Sequence, residues 1–212
     1  MTLHRDEVLE TVHKTRGRPR AFDRDAALRR AMEVFWAKGF DTCSMADLVD
    51  AMGINSPSLY AAFGSKEDLY REAIALYSAA EGGAAVRQLR AHESARDGLR
   101  AMFRTSIELF TSGTGSRGCM IFLGGMSVAP EHGELRDELR KIRRQVASAI
   151  AARLNDARKH GELHANADIH ALAALCMTLF AGLSIEAQDG VRRNALYAAV
   201  DQFIASLPFE SK

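Results

Sequence analysis

Apolar residues recur along most of this chain at spacings of three and four, and no stretch alternates strictly with polar ones. That periodicity marks amphipathic helices and argues against strands. The first stripe is Leu28, Met32 and Phe35, flanked by Ala27, Ala31 and Val34, with Asp23 placed to cap it and Gly39 to end it. In the second, Met45, Leu48, Val49 and Met52 fall at offsets 0, 3, 4 and 7 behind Ser44, and Gly53 stops the helix. A third helix opens at Ser56-Pro57, with proline at the first helical position and Leu59 and Phe63 as the buried pair. Gly64 ends it, Ser65 caps a fourth, and Asp68 adds negative charge near that N-terminus. Leu69, Ala73, Leu76 and Tyr77 form its inner face, and Gly82-Gly83 is expected to kink or fray it.

The rest is helical again. One helix is expected over 94–111, with Leu99, Met102, Phe103, Ser106 and Phe110 on one side. "SGTGSRG" (112–118) is the clear internal loop, and the glycine-interrupted apolar segment "CMIFLGGMSVA" follows it. A long helix over 133–159 carries Leu135, Leu139, Ile142, Val146, Ile150 and Leu154, and two more cover 168–188 and 191–206. The pattern predicts an all-α fold of about nine helices: an N-terminal three-helix unit and a larger bundle, joined inside the fourth helix without a flexible linker.

Charge changes the picture only locally. Lys and Arg number 28 and Asp and Glu 27, so the whole chain gives no sign of a nucleic-acid partner. Residues 13–20, however, hold Lys14, Arg16, Arg18 and Arg20 and no acid, a local electrostatic feature on a neutral chain. Cys43, Cys119 and Cys176 lie far apart with no CxxC, which fits a reducing cytoplasm better than a disulfide or zinc scaffold. The longest charge-free apolar run, 171–185, has 15 residues. A membrane span needs roughly 18, so no membrane partner is expected. Neither a signal peptide nor an enzyme signature (GxSxG, P-loop or HExxH) is found, so neither catalysis nor a cofactor is expected. His160 and His164 are separated by the helix-breaking Gly161, and no metal site is expected there.

The second and third helices are joined by the short turn Gly53-Ile54-Asn55, the form of a helix-turn-helix whose second helix enters the DNA major groove. Around it stand Ala31 to Phe35 with Gly39-Phe40, Ser44, Gly53-Ile54, Ser58-Leu59-Tyr60, Phe63, and Ser65-Lys66-Glu67 with Leu69. This ordered set resembles the DNA-binding domain of the TetR family of transcriptional regulators. The resemblance implies a basic N-terminal arm (1–20), a helix-turn-helix domain (21–68) and an effector-binding and dimerisation domain (69–212). It implies a homodimer on a palindromic double-stranded operator, commonly a repressor released by a small-molecule effector.

Residue by residue, Ser44 at a helix N-terminus can receive a phosphate, Tyr60 points away from the core face, and Lys66 is a misplaced cation that a phosphate contact would explain. The base-reading residues Asn55, Ser56, Pro57 and Ser58, with Ala61, are all small, so bidentate guanine reading by arginine is absent from this face. Arg16, Arg18 and Arg20 can lie in a narrow minor groove beside the half-site, or add only nonspecific phosphate attraction. The dimer surface is expected from Leu172, Leu175, Leu179 and Leu183, continued by Leu196, Val200 and Phe203; the alternative is a helix central to its own bundle. The effector pocket is expected from Met102, Phe103, Phe110, Cys119, Phe122, Met126, Met177 and Phe180, against ordinary core packing as the alternative. Cys119, two residues from Arg117 and at a helix start, is also a candidate reactive thiolate, which keeps a thiol- or metal-responsive sensor open.

Overall fold

The computed structural model describes residues 22–112 and 117–210. Arg16, Arg18 and Arg20 therefore lie outside the described residues. Within them the chain forms ten helices: α1 (Arg24–Lys38), α2 (Met45–Met52), α3 (Ser56–Phe63), α4 (Lys66–Ala79), α5 (Glu81–Ala91), α6 (Ala95–Phe110), α7 (Met120–Ser127), α8 (Gly133–Lys159), α9 (Ile169–Gln188) and α10 (Arg193–Ser206).

Local chemistry sets the first four. The side chains of Asp23, Ser44, Asn55 and Ser65 each accept a backbone N–H in the first turn of the helix they open. Ser44 with Asp47, and Ser65 with Asp68, close reciprocal capping boxes. Asn55 therefore caps α3, and Pro57 sits one residue inside the start rather than at the first position. Gly53 turns the chain between α2 and α3 at φ 66°, a left-handed conformation that glycine adopts without penalty.

The expected fourth helix is two. It breaks at Ala80, and α5 starts afresh at Glu81 against the end of α4. A Cβ at Gly83 would collide with the carbonyl oxygen of Ser78, so the close approach of the two helices depends on glycine there.

The core runs through both halves without interruption. Met32, Phe35, Leu48, Met52, Leu59 and Leu69 fill the N-terminal unit, and Leu99, Phe103, Leu139, Leu154 and Val200 fill the bundle, all essentially inaccessible to water. Tyr70 of α4 joins them: its ring stands edge-on to Phe35 at 4.9 Å and lies 5.1 Å from Phe40. The chain end is tied down by Leu163 and Phe209, with Glu210 N–H donating to the Glu162 carbonyl at 2.9 Å. Among the described residues, α9 alone is long and apolar enough to cross a membrane; it packs against α6 and α8 through Phe180, Leu183 and Ala187 as a core helix of the bundle.

Candidate nucleic-acid interface and effector cavity

Helix α3 buries Leu59 and Phe63 and turns Ser56, Pro57, Tyr60 and Ala61 to solvent, with Asn55 exposed at its start and Ser58 half-buried. Tyr60 is the large side chain of this surface, 52% exposed. Ser44 is exposed at the start of α2, but its hydroxyl is already engaged: it donates to Asp47 at 2.8 Å and accepts the Asp47 N–H at 3.1 Å. Asp47 also pairs with Lys38 at 2.6 Å, and that bond with the Ser44 contacts holds its carboxyl well below the usual carboxylate range. The α2 N-terminus therefore offers a phosphate the N–H groups of Met45 and Ala46, beside a carboxylate. Lys66 Nζ sits 4.6 Å over the Phe40 ring, a cation–π contact that gives this cation a partner within the protein.

Arg24 organises the entry to this surface. It bonds Glu72 at 2.7 Å and the Ala62 carbonyl at 3.2 Å, and stacks on Phe63 at 4.4 Å. It ties the first turn of α1 to the end of α3, directly after the basic arm. The sequence carried no signal for this beyond one more arginine near the others.

A cavity of about 350 Å³ opens in the bundle between α4, α5, α6, α7, α8 and α9. Phe110, Cys119, Phe122 and Phe180 line it, as expected from the sequence. The other four candidates do not. Met102 and Phe103 are wholly buried in the core, where Phe103 packs against Phe180 and Phe203 at 6.3 and 5.8 Å. Met177 is half-buried away from the cavity, and Met126 is 68% exposed in a separate groove beside Lys38 and Gly39. The reason is geometric: Met126 stands one turn, about 5.4 Å, beyond Phe122, which carries it past the cavity. Polar lining residues that the sequence did not single out are Ser78, Arg87, Gln145 and Arg143.

Cys119 is a correction of a different kind. It does open α7, and N–H groups of that helix point at its sulfur. Arg117, however, turns away to pair with Glu33 and cover Trp36 at 5.1 Å. The sulfur is buried and accepts the Tyr77 hydroxyl at 3.5 Å. Burial pushes the Cys119 thiol up, and outweighs the Tyr77 bond, the α7 N–H groups and the Arg143 charge that pull it down. Cys119 thus lies in the cavity wall in surroundings that disfavour its thiolate. Among the described residues, no three His, Cys, Asp or Glu side chains converge to hold a metal ion.

Helix α7 touches both halves of the molecule. Trp36 of α1 donates its indole N–H to the Gly118 carbonyl at 3.0 Å, while Ser184 of α9 accepts the Cys119 N–H at 2.7 Å. A Cβ at Gly124 would stand 2.5 Å from the Tyr70 hydroxyl, which is buried and has no hydrogen-bond partner. The start of α8 adds a polar joint. His132 bonds Glu67 at 2.6 Å, meets Phe40 edge-on at 4.9 Å and approaches Asp41 at 3.6 Å; Arg71 bonds Glu138 at 2.9 Å.

The dimer face also needs correction. Leu183, Leu196 and Val200 are buried in the chain's own bundle, and Leu172, Leu179 and Phe203 are half-buried. Of the expected residues only Leu175 is openly exposed, at 48%. Because α9 is apolar almost all round, its outward stripe could not be told from its inward one by pattern. The outward stripe is Ala171, Ala174, Leu175, Thr178, Gly182 and Ile185, at offsets 0, 3, 4, 7, 11 and 14.

Comparison with known proteins agrees with this architecture. Residues 27–73 match the family model described as bacterial regulatory proteins, tetR family, and residues 95–203 match the tetracyclin repressor-like, C-terminal domain. The chain is 33% identical over 182 residues to the HTH-type transcriptional repressor ComR of Escherichia coli (strain K12), covering 85% of this chain and 87% of that protein. It is 31% identical over 176 residues to the HTH-type transcriptional repressor BdcR of the same organism, covering 82% and 83% of the two chains. Among solved structures, a cysteine mutant of the TetR family transcriptional regulator CifR, complexed with 26-base-pair double-strand operator DNA, is 41% identical. It superposes with a TM-score of 0.85 over 91% of this chain and 100% of that one. The chain belongs to the TetR family of transcriptional regulators.

Proposed function

We propose that two copies of this chain hold a palindromic operator in the cytoplasm and release it when a small molecule enters the cavity. The observation that carries this reading is the double role of α7. Cys119, Ile121 and Phe122 at its start are cavity wall, while Gly118, just before the helix, and Gly124 within it are the seats of Trp36 and Tyr70. A ligand that displaces α7 acts on α1, and through α1 on the spacing of the two reading heads. Asn55, Ser56, Pro57 and Ser58 face the bases, Tyr60, Lys66 and the α2 N-terminus face phosphates, and Arg16, Arg18 and Arg20 supply the arm. The two copies pair through the outward stripe of α9 and the adjoining α10.

The test is fluorescence anisotropy on the DNA upstream of the chain's own gene. Binding falls steeply with salt, and a ligand found by thermal-shift screening releases wild-type protein but not Val146→Trp, which fills the cavity. Release of both alike would place the effector site elsewhere. A second reading, thiol sensing, rests on one observation: the Cys119 sulfur lines the cavity, so a molecule inside meets it. In that case an electrophile releases wild-type protein from DNA, and Cys119→Ser binds DNA normally but stays bound; release of Cys119→Ser would end that reading.

A further inference from the structure

The charged residues lining the cavity, Arg87 and Arg143, are both cations, and no Asp or Glu among the described residues lines it. Arg143 forms no ion pair among the described residues. Its guanidinium lies against the Gly125 backbone, donates one N–H to the Ile121 carbonyl at 3.0 Å, and is partly buried. Burial, and then repulsion from another cation, Arg140, push its basicity down. Arg87 likewise donates to a carbonyl, that of Ala79 at 3.2 Å, and has no carboxylate partner among the described residues. Ser78, in the same wall, has a buried hydroxyl with no hydrogen-bond partner. Gln145 and Ser106 are the further polar lining residues, and the rest of the wall is chiefly apolar: Val86, Leu109, Phe110, Phe122, Val146 and Phe180.

A largely apolar chamber whose unspent polar groups are two cations, a hydroxyl and the Gln145 amide, with no anion among them, is complementary to one chemistry. We propose that the effector is an amphipathic carboxylate, with its hydrocarbon body among the phenylalanines and its carboxylate paired with Arg143. This deepens the effector-cavity reading above and rests on it. A partly buried guanidinium without a counterion is costly, and a charge-assisted, bidentate carboxylate pair satisfies it. The chamber also limits size. At roughly 30 Å³ per water-sized group, 350 Å³ holds about a dozen non-hydrogen atoms, the scale of a medium-chain fatty acid or an arylalkanoic acid.

The pairing also supplies a route to release. Arg143 now braces the α7 carbonyl of Ile121, and Arg87 braces the carbonyl of Ala79 at the break between α4 and α5. A carboxylate competes for these donors. The helix that seats Trp36 and Tyr70 then loses an external brace.

The experiment is calorimetric titration of the full-length protein at pH 7.5 with octanoate and with octanamide, its uncharged isostere. Arg143→Gln, Arg143→Lys and Val146→Trp are titrated in parallel, each checked for native helix content and cooperative unfolding. Octanoate is expected to bind wild type at least about tenfold more tightly than octanamide, the scale of a charge-assisted pair. Arg143→Gln should bring the two within about twofold, and Arg143→Lys should keep part of the preference, because it keeps the charge but loses the fork. Equal binding of acid and amide to wild type, no binding of octanoate, or an acid preference that survives in Arg143→Gln overturns the proposal. Val146→Trp separates this from the underlying reading: acid and amide binding equally, and both excluded by the tryptophan, leaves the cavity reading standing without the anion. Binding that the tryptophan does not affect removes both.

Discussion

The helices of the N-terminal unit, with its proposed DNA-facing surface, and helices α5 and α7 beside the cavity are held by different kinds of interaction. Each of α1 to α4 begins on a side-chain cap, and α1, α2 and α3 end at Gly39, Gly53 and Gly64. Every one of those signals is within a few residues of the helix it bounds. In the remainder only α6 and α9 have a side-chain cap, from Ser94 and Asp168; α5, α7, α8 and α10 have none. Helices α5 and α7, which border the cavity, are held in place by partners distant in sequence: Arg153 on the Leu89 carbonyl of α5, and, at the start of α7, Ser184 on the Cys119 N–H, Tyr77 on the Cys119 sulfur, Arg143 on the Ile121 carbonyl and Trp36 on the Gly118 carbonyl. Locally bounded helices keep their shape when neighbours move. Helices bounded from a distance move when those neighbours do, as a responsive element must.

The contrast can be broken at several points. The largest effect is expected from Gly124→Val, which drives a side chain into the Tyr70 hydroxyl in the distance-held region. Overpacking of this kind costs about 1–3 kcal/mol, read as a lowered urea midpoint. Adding Tyr70→Phe should restore part of the loss, and a strictly additive double mutant would mean the two do not meet. Next, Ser65→Ala and Asn55→Ala each remove a local cap and should cost about 1 kcal/mol by thermal unfolding, with amide exchange quickened only in the helix concerned. Exchange quickened equally around the cavity would erase the distinction between the regions.

A smaller effect concerns alkaline pH. Burial pushes the Cys176 thiol up to about 12. A thiol with a raised folded value favours the folded state fully below its unfolded value of about 8.5, and loses that contribution as pH rises through the folded value. Between those limits Cys176→Ala should lose stability less steeply with pH than wild type, in denaturant titrations at stepped pH; parallel slopes would show that the sulfur is not shielded. The smallest change in stability, within about 0.5 kcal/mol, is expected for Tyr60→Phe. The same substitution should weaken DNA binding and lower the salt slope by about 0.9, and an unchanged slope would remove Tyr60 from the phosphate contacts.

This division also explains what could be read from the sequence. Caps and terminal glycines are local, so α1 to α3 were legible almost to the residue, the one slip being that Asn55 and not Ser56 caps α3. The break at Ala80 was signalled only as a weakness at Gly82-Gly83, because the break depends on how Gly83 meets the Ser78 carbonyl across it. Periodicity shows which face of a helix is apolar but not whether that face meets a neighbour or a void. Phe110 and Phe180 border the void, while Met102 and Phe103, equally apolar, fill the core. For the same reason Arg143 and Ser78 passed as ordinary polar positions on amphipathic helices. On α9, apolar on every side, pattern could not separate Leu183, which is buried, from Ile185, which is 41% exposed.

One oxygen atom at the joint has a practical meaning. The Tyr70 hydroxyl is buried beneath Gly124 without a partner, and an unmade bond of that kind costs about 1–3 kcal/mol. Whatever part of this cost is relieved when α7 shifts is a standing bias toward the shifted form. On the proposed mechanism of effector-driven release, that bias would set the leak of a whole-cell reporter built on this chain before any inducer is added. Tyr70→Phe, which deletes the oxygen and keeps the ring, would quiet the uninduced signal and raise the inducer needed for half response. Background and sensitivity would then be tuned together from a position that touches neither the DNA nor the cavity.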